Sequence, residues 1–138
     1  MSLRYNFAPV SGNANTLASG SAVNGSALDI NDGQRQKVYG LAALVTCLAE
    51  TSTFTWSGKW QGSNDGITWV DIANGPQNAA AVVLATGTAG ADTAFTKSVP
   101  ASEAVTGWRK ARYVLLTGGT TGATADTYSI SYTFRNTF

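Results

Sequence analysis

Apolar and polar residues alternate along several short stretches of this chain, and this alternation predicts β-strands. The stretch near the C-terminus is the most regular, since Tyr128, Ile130, Tyr132 and Phe134 occupy every second position with polar residues between them. Period two is the repeat of a strand, in which successive side chains point to opposite faces of a sheet. We therefore predict a strand over residues 127–138, with these apolar side chains on one face and Ile130, Tyr132 and Phe134 in the core.

A decapeptide that begins and ends with tryptophan, WQGSNDGITW, is the strongest local signal. Asn and Asp bond their own backbone and Gly accepts a positive φ, so residues 63–66 predict a tight turn. The flanking strands, 54–61 and 67–72, form a predicted hairpin. A loop of two or four residues would place Trp60 and Trp69 on one face, and a three-residue loop with a bulge would place them on opposite faces. The sequence permits either, and Trp60 is a predicted core residue.

Further strands are predicted wherever short apolar runs lie between turn residues. Residues 38–48 also fit helical spacing, but valine, tyrosine, threonine and cysteine are weak helix formers, so a strand is preferred. The final strand is predicted to pair antiparallel with residues 112–117 across a Gly/Thr/Ala loop. The chain thus has about eight to ten predicted strands and no long helix, which indicates an all-β, single-domain antiparallel β-sandwich. The remaining predicted strands are 3–7, 27–30, 81–86 and 93–99.

The N-terminal part of the chain has a different composition. Residues 1–25 are predicted to form a short strand and a flexible polar arm, and residues 26–138 the β-sandwich domain. Ser, Gly, Asn and Ala dominate residues 11–25, which would add little to a core but are long enough to lie across a neighbouring subunit. The first residues lack the apolar stretch of a signal peptide. The longest apolar run, 41–49, is too short for a membrane helix, so no membrane partner is expected.

Charged side chains are scarce, at 12% of residues against a usual ~25%. The net charge is +1, and the only basic cluster is Arg109, Lys110 and Arg112. Nucleic-acid binding normally requires a longer basic stripe that neutralises phosphates, so no nucleic acid is expected as a partner and a solvated strand end explains the cluster better. A neutral surface of short side chains is compatible with packing against other proteins or with an ordinary secreted β domain.

Candidate chemistry is sparse. The chain has no histidine, and Cys47 is its only cysteine, so Cys/His metal sites and internal disulfides are excluded. Asn64 and Asp65 with Asp71 match a calcium loop weakly, and a hairpin turn explains them better. No phosphate loop or nucleophile elbow is present, so we predict no catalytic, cofactor-binding or metal-ligating residues, no cofactor and no enzymatic activity. The eight acidic residues, expected at turns or solvated positions, are Asp29, Asp32, Glu50, Asp65, Asp71, Asp92, Glu103 and Asp126.

The four tryptophans allow a second interpretation. Trp56, Trp60, Trp69 and Trp108 could stack on sugar rings, as the aromatic residues of carbohydrate-binding modules do. Aromatic residues at period-two spacing more often fill a core. Exposure distinguishes the two functions, because a sugar-binding module should leave at least one tryptophan exposed in a concave groove, whereas a structural protein should bury them.

Two motifs carry a family resemblance. The sequence WQGSNDGITWVDI, followed after about forty residues by ARYVLL, resembles small jelly-roll capsid cement or decoration proteins of tailed bacteriophages. The early segment ASGSAVNGSALDI, which leads into the first core strand, extends the resemblance over about Ala18 to Phe134. The Ser-Asn-Asp-Gly and Arg-Tyr-Val elements also resemble discoidin-like, galactose-binding jelly rolls.

The first resemblance implies a non-enzymatic virion structural protein that decorates and stabilises a capsid. Its expected partners are copies of itself, commonly in a trimer, and the major capsid protein. Its expected location is the capsid exterior of a virion assembled in the host cytoplasm. The second resemblance implies the alternative, a carbohydrate- or cell-surface-binding β-sandwich module of a phage or bacterial protein.

Overall fold

The computed structural model describes residues 2–5, 10–13, 22–30, 37–49, 54–72, 81–86, 93–101, 107–119 and 127–137. Within these ranges the chain forms eleven β-strands and no α-helix, as the all-β prediction requires. The strands are β1 (Ser2–Tyr5), β2 (Val10–Asn13), β3 (Ala22–Asn24), β4 (Leu28–Asp29), β5 (Lys37–Ala49), β6 (Phe54–Ser63), β7 (Val70–Asp71), β8 (Val82–Thr86), β9 (Thr93–Pro100), β10 (Lys110–Gly119) and β11 (Thr127–Thr137).

The strands form two sheets whose pairs are all antiparallel. Sheet A has β11 and β5 at its centre, with β9 beside β5 and with β1 and β2 end to end beside β11. Sheet B has β10 and β6 at its centre, with β3 and β4 beside β10 and with β7 and β8 beside β6. Side chains from both sheets meet in one core, so the predicted antiparallel β-sandwich is confirmed.

The predicted pairing of the last two strands is wrong. β11 pairs with β1, β2 and β5 in sheet A, whereas β10 pairs with β3, β4 and β6 in sheet B. Each of the two strands lies at the centre of a different sheet. The connection, residues 120–126, could extend over about 20 Å, which exceeds the ~10 Å between packed sheets. Its length therefore allows the chain to change sheets between the two strands.

The core confirms the predicted burial of all four residues named for it. Trp60 is 6% exposed, Ile130 2%, Tyr132 1% and Phe134 8%. Trp60, from sheet B, contacts Tyr113 edge to face with ring centroids 5.3 Å apart and lies 5.7 Å from the ring of Tyr132, from sheet A. The other members of the buried cluster are Val23, Ile30, Leu41, Ala43, Val45, Trp56, Ile72, Leu84, Ala111 and Leu115.

A bulge near the start of β5 shifts its alternation by one residue. Ala42 is opposite Thr133, but Tyr39 is opposite Arg135, so β5 carries one extra residue in this interval. Gly40 lies there with a φ of 59°, a conformation that glycine adopts without a Cβ clash. The strand predicted over these residues is confirmed, and the helical alternative is wrong.

Tyr132 joins the two sheets through its hydroxyl group. β3 and β4 leave a gap beside β10, and the Tyr132 hydroxyl occupies it, where it accepts a bond from Tyr113 N at 3.0 Å and donates one to Ser26 O at 2.8 Å. Gly25 N donates to Tyr113 O at 2.7 Å. A Cβ at Gly25 would collide with the Tyr132 hydroxyl, so the close approach of the two sheets requires glycine here.

The central hairpin has a longer loop and a shorter second strand than the sequence predicts. β7 has only two residues, in which Val70 is opposite Gly62 and Asp71 is opposite Gln61. Residues 64–69 form the loop, so a turn of two to four residues is wrong. The reason lies in the side-chain hydrogen bonds of this loop, which are described with the candidate site.

Parts of the predicted polar arm are paired strands. Val10–Asn13 lies beside β11, Ala22–Asn24 lies beside β10, and Val23 is buried. The division of the chain at residue 25 stays a prediction. The sequence also predicts a weak strand at 16–18, turns at 31–33 and 87–90, a loop at 73–79 and a helical turn at 101–105, and all of these lie outside the described residues except Ala101.

Candidate functional site

The outer face of sheet B carries a connected row of polar side chains that crosses three strands. Lys59 Nζ donates to Asp71 at 3.1 Å, and Gln61 Nε2 donates to the same carboxylate at 2.8 Å. The Arg112 Nε–H donates to Gln61 Oε1 at 2.9 Å, and the guanidinium lies 4.2 Å from the centre of the Trp69 ring. We call these residues the sheet B network. It holds the two-residue strand β7 and the end of the loop against β6 and β10.

Two of the three charges in the sheet B network, those of Lys59 and Asp71, compensate each other. The hydrogen bond from Gln61, together with the ammonium group of Lys59, lowers the pKa of Asp71 below its usual value, and burial opposes this shift. Partial burial lowers the pKa of Arg112. Since each polar group already has a partner, a ligand would have to replace bonds that the protein makes to itself.

The outer face of sheet A is different in chemistry. Its described side chains carry no formal charge and are mostly small alcohols and alanine. Leu44 lies near the middle, in register with Ser98 on one side and Ser131 on the other, and is 37% exposed. We call this surface the sheet A face, and its members are Ala42, Leu44, Thr46, Thr96, Ser98, Pro100, Ser129, Ser131 and Thr133.

The loop at residues 64–69 is ordered by one carboxylate. Asp65 Oδ1 accepts bonds from Ser63 Oγ at 2.9 Å, Ile67 N at 2.8 Å and Thr68 N at 2.7 Å. These bonds, those from the backbone of Thr68 and Ile67 first, lower the pKa of Asp65 from 3.8 to about 2. Gly66, with a φ of 76°, donates its N–H to Ser63 Oγ at 2.8 Å. The turn interpretation of Asp65 is confirmed.

None of the four tryptophans is fully exposed. Trp56 and Trp60 are buried, with exposures of 0% and 6%. Trp108 is half-buried and packs against the core over Gly62, where an added Cβ would overlap its ring. Trp69 is also half-buried and has Arg112 over one face of its ring. The criterion set for a sugar-binding module, an exposed tryptophan in a groove, is therefore not met.

The basic cluster does not form a patch for nucleic acid. Lys110 pairs with Asp29 at 2.5 Å, and Arg112 belongs to the sheet B network. Arg109 is exposed, and its backbone N–H donates to Asn64 Oδ1 at 3.2 Å. The solvated strand end that we predicted fits this arrangement.

The weak calcium motif is not assembled. Asp65 lies in the loop and Asp71 in the sheet B network, each with its own partners. Among the described residues, no three potential metal-ligating side chains of the His, Cys, Asp and Glu types come together. Cys47 lies in β5, and Asp32, Glu50, Asp92, Glu103 and Asp126 are outside the described residues.

Sequence reasoning missed a group of exposed apolar side chains. In the described part of the chain, the large apolar residues with high exposure are Leu44, Ile67, Val70, Val82 and Val83. Apart from Leu44, they lie in the 64–69 loop or on β7 and β8. The two adjacent valines of β8 could have indicated an exposed apolar side chain, because one of two neighbouring strand residues must face away from the core.

Comparisons with known proteins give limited information. No family model matches the chain, and no curated protein matches it. Chains in the solved structures of infectious bursal disease virus are similar: for the Gx strain the TM-score is 0.46 at 11% identity, with 96% of this chain and 32% of that chain covered. For the Gt strain the TM-score is 0.44 at 13% identity, with 96% and 31% covered. The chain thus spans about a third of those chains. Likeness of this degree carries no argument about function.

No described segment is a helix long and apolar enough to cross a membrane.

Proposed function

We propose that this chain is a non-enzymatic structural protein of a virion, which decorates and stabilises a tailed-phage capsid through protein–protein contacts. It acts as a homo-oligomer, with a trimer as the expected state, and binds the major capsid protein on the capsid exterior. Assembly takes place in the host cytoplasm. The sequence resemblance to cement and decoration proteins motivates this proposal.

The observation that carries the proposal is the position of the tryptophans. All four contribute to the core, to its margin or to the sheet B network, so the largest aromatic surfaces serve the fold. Stacking aromatic rings are what a sugar-binding surface would need. The protein instead presents the sheet A face, which is uncharged over its described side chains and suits close contact without ion pairs.

The described side chains also give little support to catalysis. The lowered pKa values of Asp65 and Asp71 arise from hydrogen bonds that hold the loop and β7 in place. A general acid or base requires a pKa near the working pH, and both shifts go in the opposite direction. These carboxylates therefore fit structural roles.

Binding to capsids tests the proposal. The chain would be mixed with undecorated capsids assembled from the major capsid protein of the same genome, and bound copies would be counted after sedimentation. We expect saturable binding at fixed lattice positions, visible as added density by electron microscopy. Absence of binding at about 10 µM protein, well above usual dissociation constants for specific complexes, would reject the proposed function.

A carbohydrate-binding function remains the second candidate, and Trp69 is the observation in its favour. Its ring is half-buried, and the hydrogen-bonding groups of Gln61 and Asp71 lie nearby on the same face. A glycan array tests it directly. Saturable binding to a defined sugar that Trp69→Ala removes and Trp108→Ala retains would favour this function over capsid decoration.

A further inference from the structure

An asparagine followed by a glycine stands where β3 ends. Asn24 is the last residue of β3, and Gly25 begins the gap between β3 and β4. This dipeptide is especially prone to spontaneous deamidation, because glycine has no Cβ to hinder attack by its own backbone nitrogen. Asn24 is exposed and Gly25 is buried. The chain thus offers the reactive side chain to water while it encloses the attacking nitrogen.

Deamidation at this position needs an accessible backbone nitrogen at Gly25. That nitrogen gives its proton to a base in the solvent and attacks Cγ of Asn24. A new C–N bond closes a five-membered succinimide ring, and the side-chain amide nitrogen leaves as ammonia. Water then opens the ring at either carbonyl group and yields aspartate or isoaspartate. The reaction therefore depends on the state of a single backbone N–H group.

The fold holds this N–H group in a hydrogen bond. Gly25 N donates to Tyr113 O at 2.7 Å. The Tyr132 hydroxyl donates to Ser26 O at 2.8 Å and so anchors the next residue to sheet A. A Cβ at Gly25 would collide with the Tyr132 hydroxyl and with Tyr113 O, which shows how closely both groups enclose the backbone. Attack on Asn24 requires this segment to leave its place beside β10.

The strand that ends at Asn24 is suited to local opening. β3 has only three residues, and among the described strands its one neighbour is β10. Short segments at the margin of a fold open with much smaller free energies than the whole domain unfolds. Separation of β3 from β10 would break the bond from Gly25 N and leave the rest of both sheets in place.

We infer that Asn24 is a deamidation site whose reaction requires β3 to separate locally from β10. The isoaspartate product adds one methylene group to the main chain. Gly25 and Ser26 then no longer fit against the Tyr132 hydroxyl, because the space there does not admit even a Cβ. Deamidation to isoaspartate therefore makes the separation of β3 permanent.

The rate of reaction at Asn24 tests the inference. Peptide mass spectrometry after storage of the folded protein at mildly alkaline pH measures this rate. The same chain unfolded in urea gives the unprotected rate, and Asn74-Gly75 in the unfolded sample is an internal standard with the same dipeptide. We expect Asn24 to react about tenfold or more slowly in the folded protein than in the unfolded one.

Three variants locate the opening. Tyr132→Phe removes the bond to Ser26 O and should raise the rate at Asn24 about fivefold or more. Tyr128→Phe makes the same substitution at a half-buried ring, and Ile72→Val reduces the core beside β7, at the opposite margin of sheet B. Each of these two controls should change the rate less than about twofold. Thermal unfolding would verify that every variant folds.

The wild type supplies a second measurement that needs no variant. In urea below the unfolding transition, the rate at Asn24 should stay nearly constant, since a small local opening exposes little surface. A rate that follows the global unfolding equilibrium would overturn the inference. So would equal rates in the folded and unfolded protein, or an Asn24 that stays intact in folded wild type and in folded Tyr132→Phe alike. Equal acceleration by Ile72→Val and Tyr132→Phe would also overturn it.

Discussion

The outer faces of the two sheets use polar residues in opposite ways. The sheet B network connects charged and amide groups to one another across three strands, and the described side chains of the sheet A face carry hydroxyl and methyl groups without a charge. The network stabilises a short strand and a loop of its own chain. On the sheet A face, the hydroxyl groups of Thr46 and Thr96 are 3.4 Å apart, and no charged group stands among the described side chains. The difference teaches that the charged residues of the sheet B network serve the fold.

The largest expected effect comes from the core that supports both faces. Trp60 contacts Tyr113 of sheet B and Tyr132 of sheet A, so Trp60→Ala should leave a cavity between the sheets. We expect the free energy of unfolding to fall by about 3–5 kcal/mol, measured by urea denaturation. A loss below about 1 kcal/mol would show that the two faces do not depend on a shared core.

The Tyr132 hydroxyl should give the next largest effect. Tyr132→Phe leaves Tyr113 N and Ser26 O without this partner, and we expect a loss of about 1–3 kcal/mol in urea denaturation. Tyr128→Phe, on the same face of β11 but half-buried, is the control, and an equal loss in both variants would contradict this role.

Ionisation at alkaline pH gives a second test of the Tyr132 hydroxyl group. Burial raises the pKa of Tyr132 from 10.0 to about 12. The group therefore contributes stability that is fully present below pH 10 and is lost as the pH rises through about 12. Ultraviolet absorbance should show late ionisation of tyrosine, together with unfolding, in the wild type, and the late fraction should be smaller by one tyrosine in Tyr132→Phe. Ionisation of all tyrosines near pH 10 would exclude a buried hydroxyl.

A smaller effect is expected in the salt dependence of the free energy of unfolding, which should differ between variants of the two faces. Lys59→Met removes one partner of Asp71 in the sheet B network, whereas Ser131→Ala changes the sheet A face without altering charge. Partly exposed ion pairs contribute about 0–1 kcal/mol, so we expect a loss in this range for Lys59→Met at low salt and a smaller one at 1 M salt. Ser131→Ala should show no salt dependence. Equal salt dependence in both variants would remove the contrast between the faces.

The smallest expected effect concerns the loop beside the network. The lowered pKa of Asp65 means that its hydrogen bonds are fully effective above pH 3.8 and are lost as the pH falls through about 2. Amide exchange and chemical shifts of Ile67 and Thr68 should therefore stay constant down to about pH 4 and change below it. Asp65→Asn should perturb these amides at all pH values. A midpoint near 4 would show that the loop bonds do not favour the ionised carboxyl group.

The positions of most strands could be predicted from the sequence, but their neighbours could not. Alternation shows which side chains of β11 share a face, and burial of Ile130, Tyr132 and Phe134 confirms it. It carries no information on which strand lies beside β11. That choice depends on the packing of both sheets around one core and on a connection long enough to cross between them, so the predicted pairing with β10 failed.

The candidate surfaces also divide into local features, which the sequence predicts, and features that depend on strand neighbours, which it does not. Asp65 was predictable as a turn residue because its bonds reach only three residues along the chain. The contact of Arg112 with Trp69 joins residues far apart in sequence and depends on β7, β6 and β10 being neighbours. The exposed valines of β7 and β8 likewise lie on one side of β6 because both strands pair with it. Such features follow from topology and were out of reach of local patterns.

The most direct test of the central claim, that this protein decorates a capsid through contacts with few ion pairs, is its affinity for undecorated capsids as a function of salt. Screening weakens contacts between exposed charges and leaves neutral contacts nearly unchanged. Between about 50 mM and 500 mM salt, the account predicts a change in dissociation constant of less than about threefold. A loss of affinity of about a hundredfold would contradict it.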